Sequence, residues 1–233
     1  ERDGGQADAV NQGLRNARGD IIAWLNSDDI YYPDAFRKVA ALFEQHPEVD
    51  FVYGEAHHID PQDAVLETYY TESWNFERLL DVCFLCQPAV FFRRSVVERI
   101  GVLDAGLRYC MDYEYWIRAA QAGCVFMHCP EFLAGSRMYP ENKTMADRTK
   151  VHAEMNSMLR RRLGQVPLRW LSNYAHAVVD GKGVARDDYP RFVRELARYL
   201  LWAELRWNRR ISRAALALAW EWNRHHVPAW LRR

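Results

Sequence analysis

Two adjacent carboxylates, Asp28 and Asp29, close the run Ile21-Ile22-Ala23-Trp24-Leu25-Asn26-Ser27. Side by side they repel each other, and a bound cation would neutralise them. Hard oxygen ligands of this kind suit Mg²⁺ or Mn²⁺ bridging a diphosphate. The five apolar residues before Asn26 predict a strand over 21–26, buried on both faces of a mostly parallel sheet. Ligands of open α/β folds bind at the carboxyl edge of such strands. A plainer alternative has Asp28 capping the helix that begins near Pro33. A third carboxylate, Asp112, opens a predicted helix. There it would gain from the helix dipole, have a lowered pKa, and be ionised at neutral pH.

The elements that must position these groups alternate. Ala7, Val10, Leu14 and Ala17 recur at helical spacing until Gly19. A second helix spans 33–45, with Phe36, Val39, Ala40 and Phe43 on one face. Strands are predicted at 51–58, 89–92 and 124–128, helices at 76–83, 95–100 and 112–122, and a loop or loose hairpin at 60–73. Helices interleaved with strands argue for α/β layers. Beyond Met145 only helical patterns appear, at 146–163, 167–180, 188–208 and 211–224. The expected organisation is an α/β domain over 1–145 and a helical extension over 146–233.

The 233 residues carry no net charge, yet the segment from Pro190 to Arg233 holds ten Arg against Glu195, Glu204 and Glu221. Five of the nine Trp also fall there: Trp202, Trp207, Trp220, Trp222 and Trp230. Such a composition fits either a packed helical core or peripheral contact with an anionic membrane. It does not match a nucleic-acid-binding module. No apolar run is long enough to span a bilayer. Five cysteines, with Cys83 and Cys86 inside an apolar stretch, read as reduced, buried thiols of a cytoplasmic protein rather than a metal site. The chain opens inside a motif rather than on Met and reads as part of a longer protein.

Several motifs follow one another in a recognisable order. They are Asp3-Gly4-Gly5-Gln6-Ala7-Asp8-Ala9-Val10-Asn11-Gln12-Gly13, Ala17-Arg18-Gly19-Asp20, Trp24-Leu25-Asn26-Ser27-Asp28-Asp29 and Val52-Tyr53-Gly54-Glu55. Then come Gln87-Pro88-Ala89-Val90-Phe91-Phe92-Arg93-Arg94, Gly101-Val102-Leu103-Asp104 and Asp112-Tyr113-Glu114-Tyr115-Trp116-Ile117-Arg118. Together they resemble the middle of a family 2 glycosyltransferase, over about residues 1–145. The resemblance implies a GT-A-type nucleotide-sugar-binding sandwich, incomplete at its N-terminus. It also implies inverting transfer from a nucleoside-diphosphate-sugar to an acceptor hydroxyl, sugar or lipid-linked, in polysaccharide or glycolipid assembly. By position, Asp28 and Asp29 would serve the Mg²⁺ or Mn²⁺ and the donor sugar, and Asp112 the acceptor proton. Gln6 and Gln87 would lie near the donor, while Trp116 and Arg118 would line the acceptor or diphosphate site. Arg137 and Lys143, in a loop that closes over the donor, would neutralise phosphate.

The sequence departs from the family pattern in two places. Asn26 stands where many relatives have Asp, and Tyr139 where many have His. A tyrosine, with a pKa of about 10, is a poor metal ligand at neutral pH. Other readings stay open: Trp116 as core, the 137–144 loop as solvated surface, and the chain as a non-catalytic interaction domain or a metal-dependent phosphohydrolase.

Overall fold

The computed structural model describes residues 4–139 and 147–224. The chain forms two compact units, Glu1–Asn142 and Lys143–Arg233. Asp3, Lys143 and Trp230 lie outside the described residues.

The first unit runs α1 (Gln6–Asn16), β1 (Ile21–Ile22), β2 (Ile30–Tyr31), α2 (Ala35–Gln45), β3 (Phe51–Ile59), β4 (Val65–Thr68) and α3 (Phe76–Asp81). It continues through a 3₁₀ turn (Gln87–Ala89) into β5 (Val90–Arg93), α4 (Arg94–Ile100), α5 (Met111–Gln121) and β6 (Phe126–Arg137). The strands form one sheet ordered β1-β5-β3-β6-β2, with β4 paired to β3. Only the β3–β6 pairing is parallel; β1–β5, β2–β6, β3–β4 and β3–β5 are antiparallel. The expected α/β sandwich is therefore present, but its sheet is mixed rather than mostly parallel. Alternating helices and strands signal layers; strand direction is set by where each connection returns the chain, which the pattern does not encode. The expected strand 21–26 is also shorter. After Ile22 the backbone leaves the ladder, and burial alternates through Ile22, Trp24 and exposed Leu25 instead of being continuous.

Each face of the sheet is covered by a helix whose apolar stripe matches it. Ala35, Val39 and Phe43 of α2 pack on Val52, Ala56, Phe91, Leu133 and Ala134. Arg93 fastens the end of α2 to the sheet, donating to the carbonyls of Phe43 (2.8 Å), His46 (3.2 Å) and Val49 (2.8 Å). Those carbonyls would otherwise be orphaned at a helix terminus. The other face is aromatic. Phe51 stacks on Phe126 (4.3 Å between centroids), and Trp24 stacks on Trp116 of α5 (5.4 Å). Asn11 of α1, buried, exchanges two hydrogen bonds with the backbone of Leu103 (2.8 and 2.9 Å), anchoring α1 to the segment before α5.

Parallel pairing of β3 with β6 slips where Gly54 faces Cys129 and Glu55 faces Phe132. The extra residues, Pro130 and Glu131, bulge out of β6, where a proline's missing N–H costs no ladder bond. The bulge drives Leu133 over Gly54: a Cβ there would lie 2.4 Å from the Leu133 side chain and 2.8 Å from the Glu131 carbonyl.

The second unit contains α6 (Arg148–Leu163), α7 (Leu168–Gly181), α8 (Tyr189–Ala203), a π-helical turn (Glu204–Asn208) and α9 (Arg213–Asn223). The single helix expected over 188–208 thus widens for its last five residues. Glu204 is 2% exposed there and accepts from Ser212 Oγ (2.6 Å) and Asn208 Nδ2 (3.2 Å). None of the described helices is long and apolar enough to cross a membrane.

Gly54→Ala should destabilise the chain by about 1–3 kcal/mol, the usual cost of overpacking a filled core. Chemical denaturation compared with Gly13→Ala, a glycine with open space around it, checks this; equal effects at both positions would refute the role given to the bulge.

Candidate active site

Between β1 and β2 the chain forms a loop whose hub is Asn26. Its Nδ2 donates to Asp29 Oδ2 (2.9 Å) and to Gln87 Oε1 (3.0 Å), and its Oδ1 accepts from Gln6 Nε2 (2.9 Å). Gln87 in turn donates to the Trp24 carbonyl (2.7 Å). One amide thus joins the first residue of α1, the acidic loop and the 3₁₀ turn. An aspartate in its place would have no donor for either oxygen it faces. Gln6 is exposed and Gln87 half-buried within this network.

Asp29 is 9% exposed. Its Oδ1 accepts from the Arg137 backbone N–H (2.9 Å) and its Oδ2 from Asn26. Burial, aided by the neighbouring Asp28 charge, still holds its pKa above the ordinary 3.8. Asp28 does not cap α2, whose N-cap is Asp34. Instead its Oδ2 accepts from the Tyr139 hydroxyl (2.8 Å). Tyr139, a poor ligand from sequence, is here a positioning donor. Arg137 is committed to the scaffold: it reaches the Asp28 carbonyl (2.7 Å), the Asp60 carbonyl (2.5 Å) and Asp63 Oδ1 (2.5 Å). That guanidinium ties the acidic loop to the β3–β4 turn.

Asp112 sits in the first turn of α5, with Oδ1 accepting from the Tyr113 N–H (2.8 Å). Its charge is felt by the side chains of Cys83, Cys86 and Tyr69, and burial raises its own pKa above 3.8 despite the helix N-terminus. The expected lowering is thus reversed, because desolvation outweighs the helix dipole once water is excluded. The Cys86 thiol is pushed up by burial and by the charges of both Asp29 and Asp112. The acidic loop and Asp112 therefore both act electrostatically on one buried side chain. Burial likewise raises Cys83 to about 12, and the five cysteines are free thiols.

Two expected site residues belong to the core. Trp116 is fully buried against Trp24, Phe51 and Phe92. Arg118 forks onto buried Glu114 (3.0 Å to each carboxylate oxygen) and donates to the carbonyls of Val102 (2.8 Å) and Ile100. It ties the end of α4 to α5. Both face inward because α5 is buried on most of its circumference, which a single apolar stripe does not predict.

A divalent ion is compatible with these residues under one condition. No group of three His, Cys, Asp or Glu among the described residues could hold a metal, so the described part of the loop offers one or two carboxylates. Mg²⁺ accepts that number when substrate phosphates complete its octahedron. Asp28, with one oxygen not engaged by Tyr139, is the better placed of the pair; both oxygens of Asp29 already hold N–H groups.

Helices on both faces of a mixed sheet, with a carboxylate loop at its rim, define a GT-A-like fold. Solved structures agree in fold. TarS of S. aureus in complex with UDP-GlcNAc aligns with a TM-score of 0.52 at 14% identity, over 87% of this chain and 62% of that one. The mannosyltransferase PcManGT from Pyrobaculum calidifontis, in complex with GDP-Man and Mn²⁺, aligns with a TM-score of 0.50 at 20% identity, over 100% and 62%. Residues 1–101 match the model of Glycosyl transferase family 2. A PGL/p-HBAD biosynthesis glycosyltransferase of Mycobacterium bovis is 30% identical over 122 residues, 51% of this chain and 44% of the relative. The chain spans less than half the length of the curated relatives it matches.

Arg118→Met should destabilise the chain by about 3 kcal/mol or more, since it strands Glu114 as an unpaired buried charge. A variant that unfolds like the native chain would reject the scaffold role. For Asp112 the sign runs the other way. A carboxyl with a raised folded pKa lowers stability as pH rises through that value. Asp112→Asn should therefore unfold no lower than the native chain at neutral pH, and thermal melts should show its advantage vanishing as pH falls toward 3.8.

Proposed function

We propose that the α/β unit transfers a sugar from a nucleoside-diphosphate-sugar to an acceptor hydroxyl, with inversion at the anomeric carbon. The observation carrying this reading is the Asn26-held acidic loop, whose Asp29 shares with Asp112 an electrostatic influence on buried Cys86, in a chain whose residues 1–101 match family 2. In this reading Asp112 takes the acceptor proton. The acceptor oxygen then bonds to the anomeric carbon as the bond from that carbon to the diphosphate oxygen breaks. A single displacement of this kind inverts configuration. The raised pKa makes Asp112 a stronger base than an exposed carboxylate, which favours proton transfer at neutral pH.

Asp28 would hold Mg²⁺ or Mn²⁺, which as a Lewis acid stabilises charge on the departing diphosphate. Asp29, Arg137 and Tyr139 hold the loop so that the Asp28 carboxylate keeps its direction. Gln6 and Gln87, through Asn26, fix the loop against α1 and the 3₁₀ turn, and Gln6 is exposed enough to meet a donor. In this reading the acceptor belongs to polysaccharide or glycolipid assembly; the mycobacterial relative is named for PGL/p-HBAD biosynthesis.

Calorimetric titration of UDP and GDP, with and without Mn²⁺, tests the donor site. Metal-dependent binding lost in Asp28→Ala is expected. No binding by this chain, nor by a longer one carrying the upstream residues of the relatives, would overturn the proposal. In an active chain Asp112→Asn should lower kcat by about 10²–10⁴-fold, the usual share of a general base. The acid limb of kcat/KM should lie above pH 3.8.

A further inference from the structure

The helical unit turns large apolar side chains outward over one short stretch. In α9 the inward positions are small: Ala215 and Ala219 are buried, Asn223 donates to the Val193 carbonyl (3.3 Å), and Trp222 lies edge-on to His176 of α7. Leu216 and Trp220, one turn apart on the flank of that face, are 51% and 48% exposed. Just upstream, Trp202 and Leu205 are 46% and 53% exposed, and Ile211 is exposed between the two helical faces. Trp207 in the same stretch is buried, so these exposed side chains are ones the core does not take up. Exposed apolar residues grouped this closely mark an interaction surface.

Charge identifies the occupant. Between Trp202 and Trp220 the exposed charged residues are Arg206, Arg209, Arg210 and Arg213. The acid in that span, Glu204, is buried on Ser212 and Asn208. Arg198 nearby is paired with Glu195, whereas no carboxylate among the described residues pairs with those four. Tryptophan and leucine interleaved with guanidinium groups that no described carboxylate pairs match a lipid interface, where indole rings sit at headgroup depth and cations meet anionic headgroups. A second copy fits poorly, because a two-fold interface would set the same four cations against themselves.

We propose that the stretch from Trp202 to Trp220 is a docking surface for an anionic lipid bilayer. It stands on exposure and charge within the helical unit and does not rest on the transfer chemistry proposed above. Sedimentation of the full chain tests it, with vesicles of phosphatidylcholine alone and with about 30 mol% phosphatidylglycerol added. Binding to the anionic vesicles should be at least about tenfold tighter and should weaken with added salt. Replacing the four arginines together by Gln should weaken it by roughly a hundredfold or more. Leu216→Ser with Trp220→Ser should weaken it by about tenfold. These positions are exposed, so the double variant is expected to keep the native far-UV spectrum, and the salt titration needs no variant. Absence of anionic preference would overturn the proposal. So would a concentration-dependent dimer abolished by the double substitution, which would make the surface a self-association interface.

Discussion

The acidic loop exists in this form because a carboxylate, Asp29, is buried at the rim of the sheet. An isolated charge in that position is costly, so its oxygens must be met by donors. The chain supplies them from two distant places: the Arg137 N–H at the end of β6, and the Asn26 amide within the loop. Satisfying Asp29 therefore fixes the end of β6 against the loop. It brings the Arg137 guanidinium across to the Asp60 carbonyl and Asp63, and brings Tyr139 to Asp28. Gln87 and Gln6 follow through Asn26. The geometry of Asp28, the carboxylate proposed to hold the metal, is a consequence of how Asp29 is satisfied.

The same economy of buried polar groups shapes α5. Its helix carries Tyr113, Tyr115, Trp116 and Ile117 into the core, and with them Glu114. Arg118 neutralises Glu114 and spends its remaining donors on the carbonyls at the end of α4. Asp112, at the start of this buried helix, faces the interior thiols rather than bulk water. A desolvated carboxylate is a stronger base than a solvated one, so the packing that stabilises α5 also sets the chemistry available to Asp112.

The helical unit shows the reverse allocation. Its buried polar group, Glu204, sits where the helix widens into a π turn, held by Asn208 and Ser212. Trp202 and Leu205 beside it are exposed, while Trp207 is buried. A turn that draws its single acid inward leaves its surface cationic as well as apolar.

Much of this was legible in the sequence. Periodicity placed most helices within a few residues, because amphipathic stripes and glycines such as Gly101, at φ 77°, record local constraints. The order of the motifs marked the family, and the Arg- and Trp-rich C-terminal composition was plain in one dimension. Strand direction, the slip of β6 past Gly54, and the inward face of Trp116 and Arg118 were not, since each depends on which segment arrives alongside. Asn26 is the clearest instance: by sequence it was one charge fewer in an acidic motif, while in the fold it is the amide joining three segments. The sequence alone determined which groups could ionise, donate or accept. Only tertiary structure decided which of them are removed from water, and it is desolvation that turns Asp29 into a scaffold and raises the pKa of Asp112.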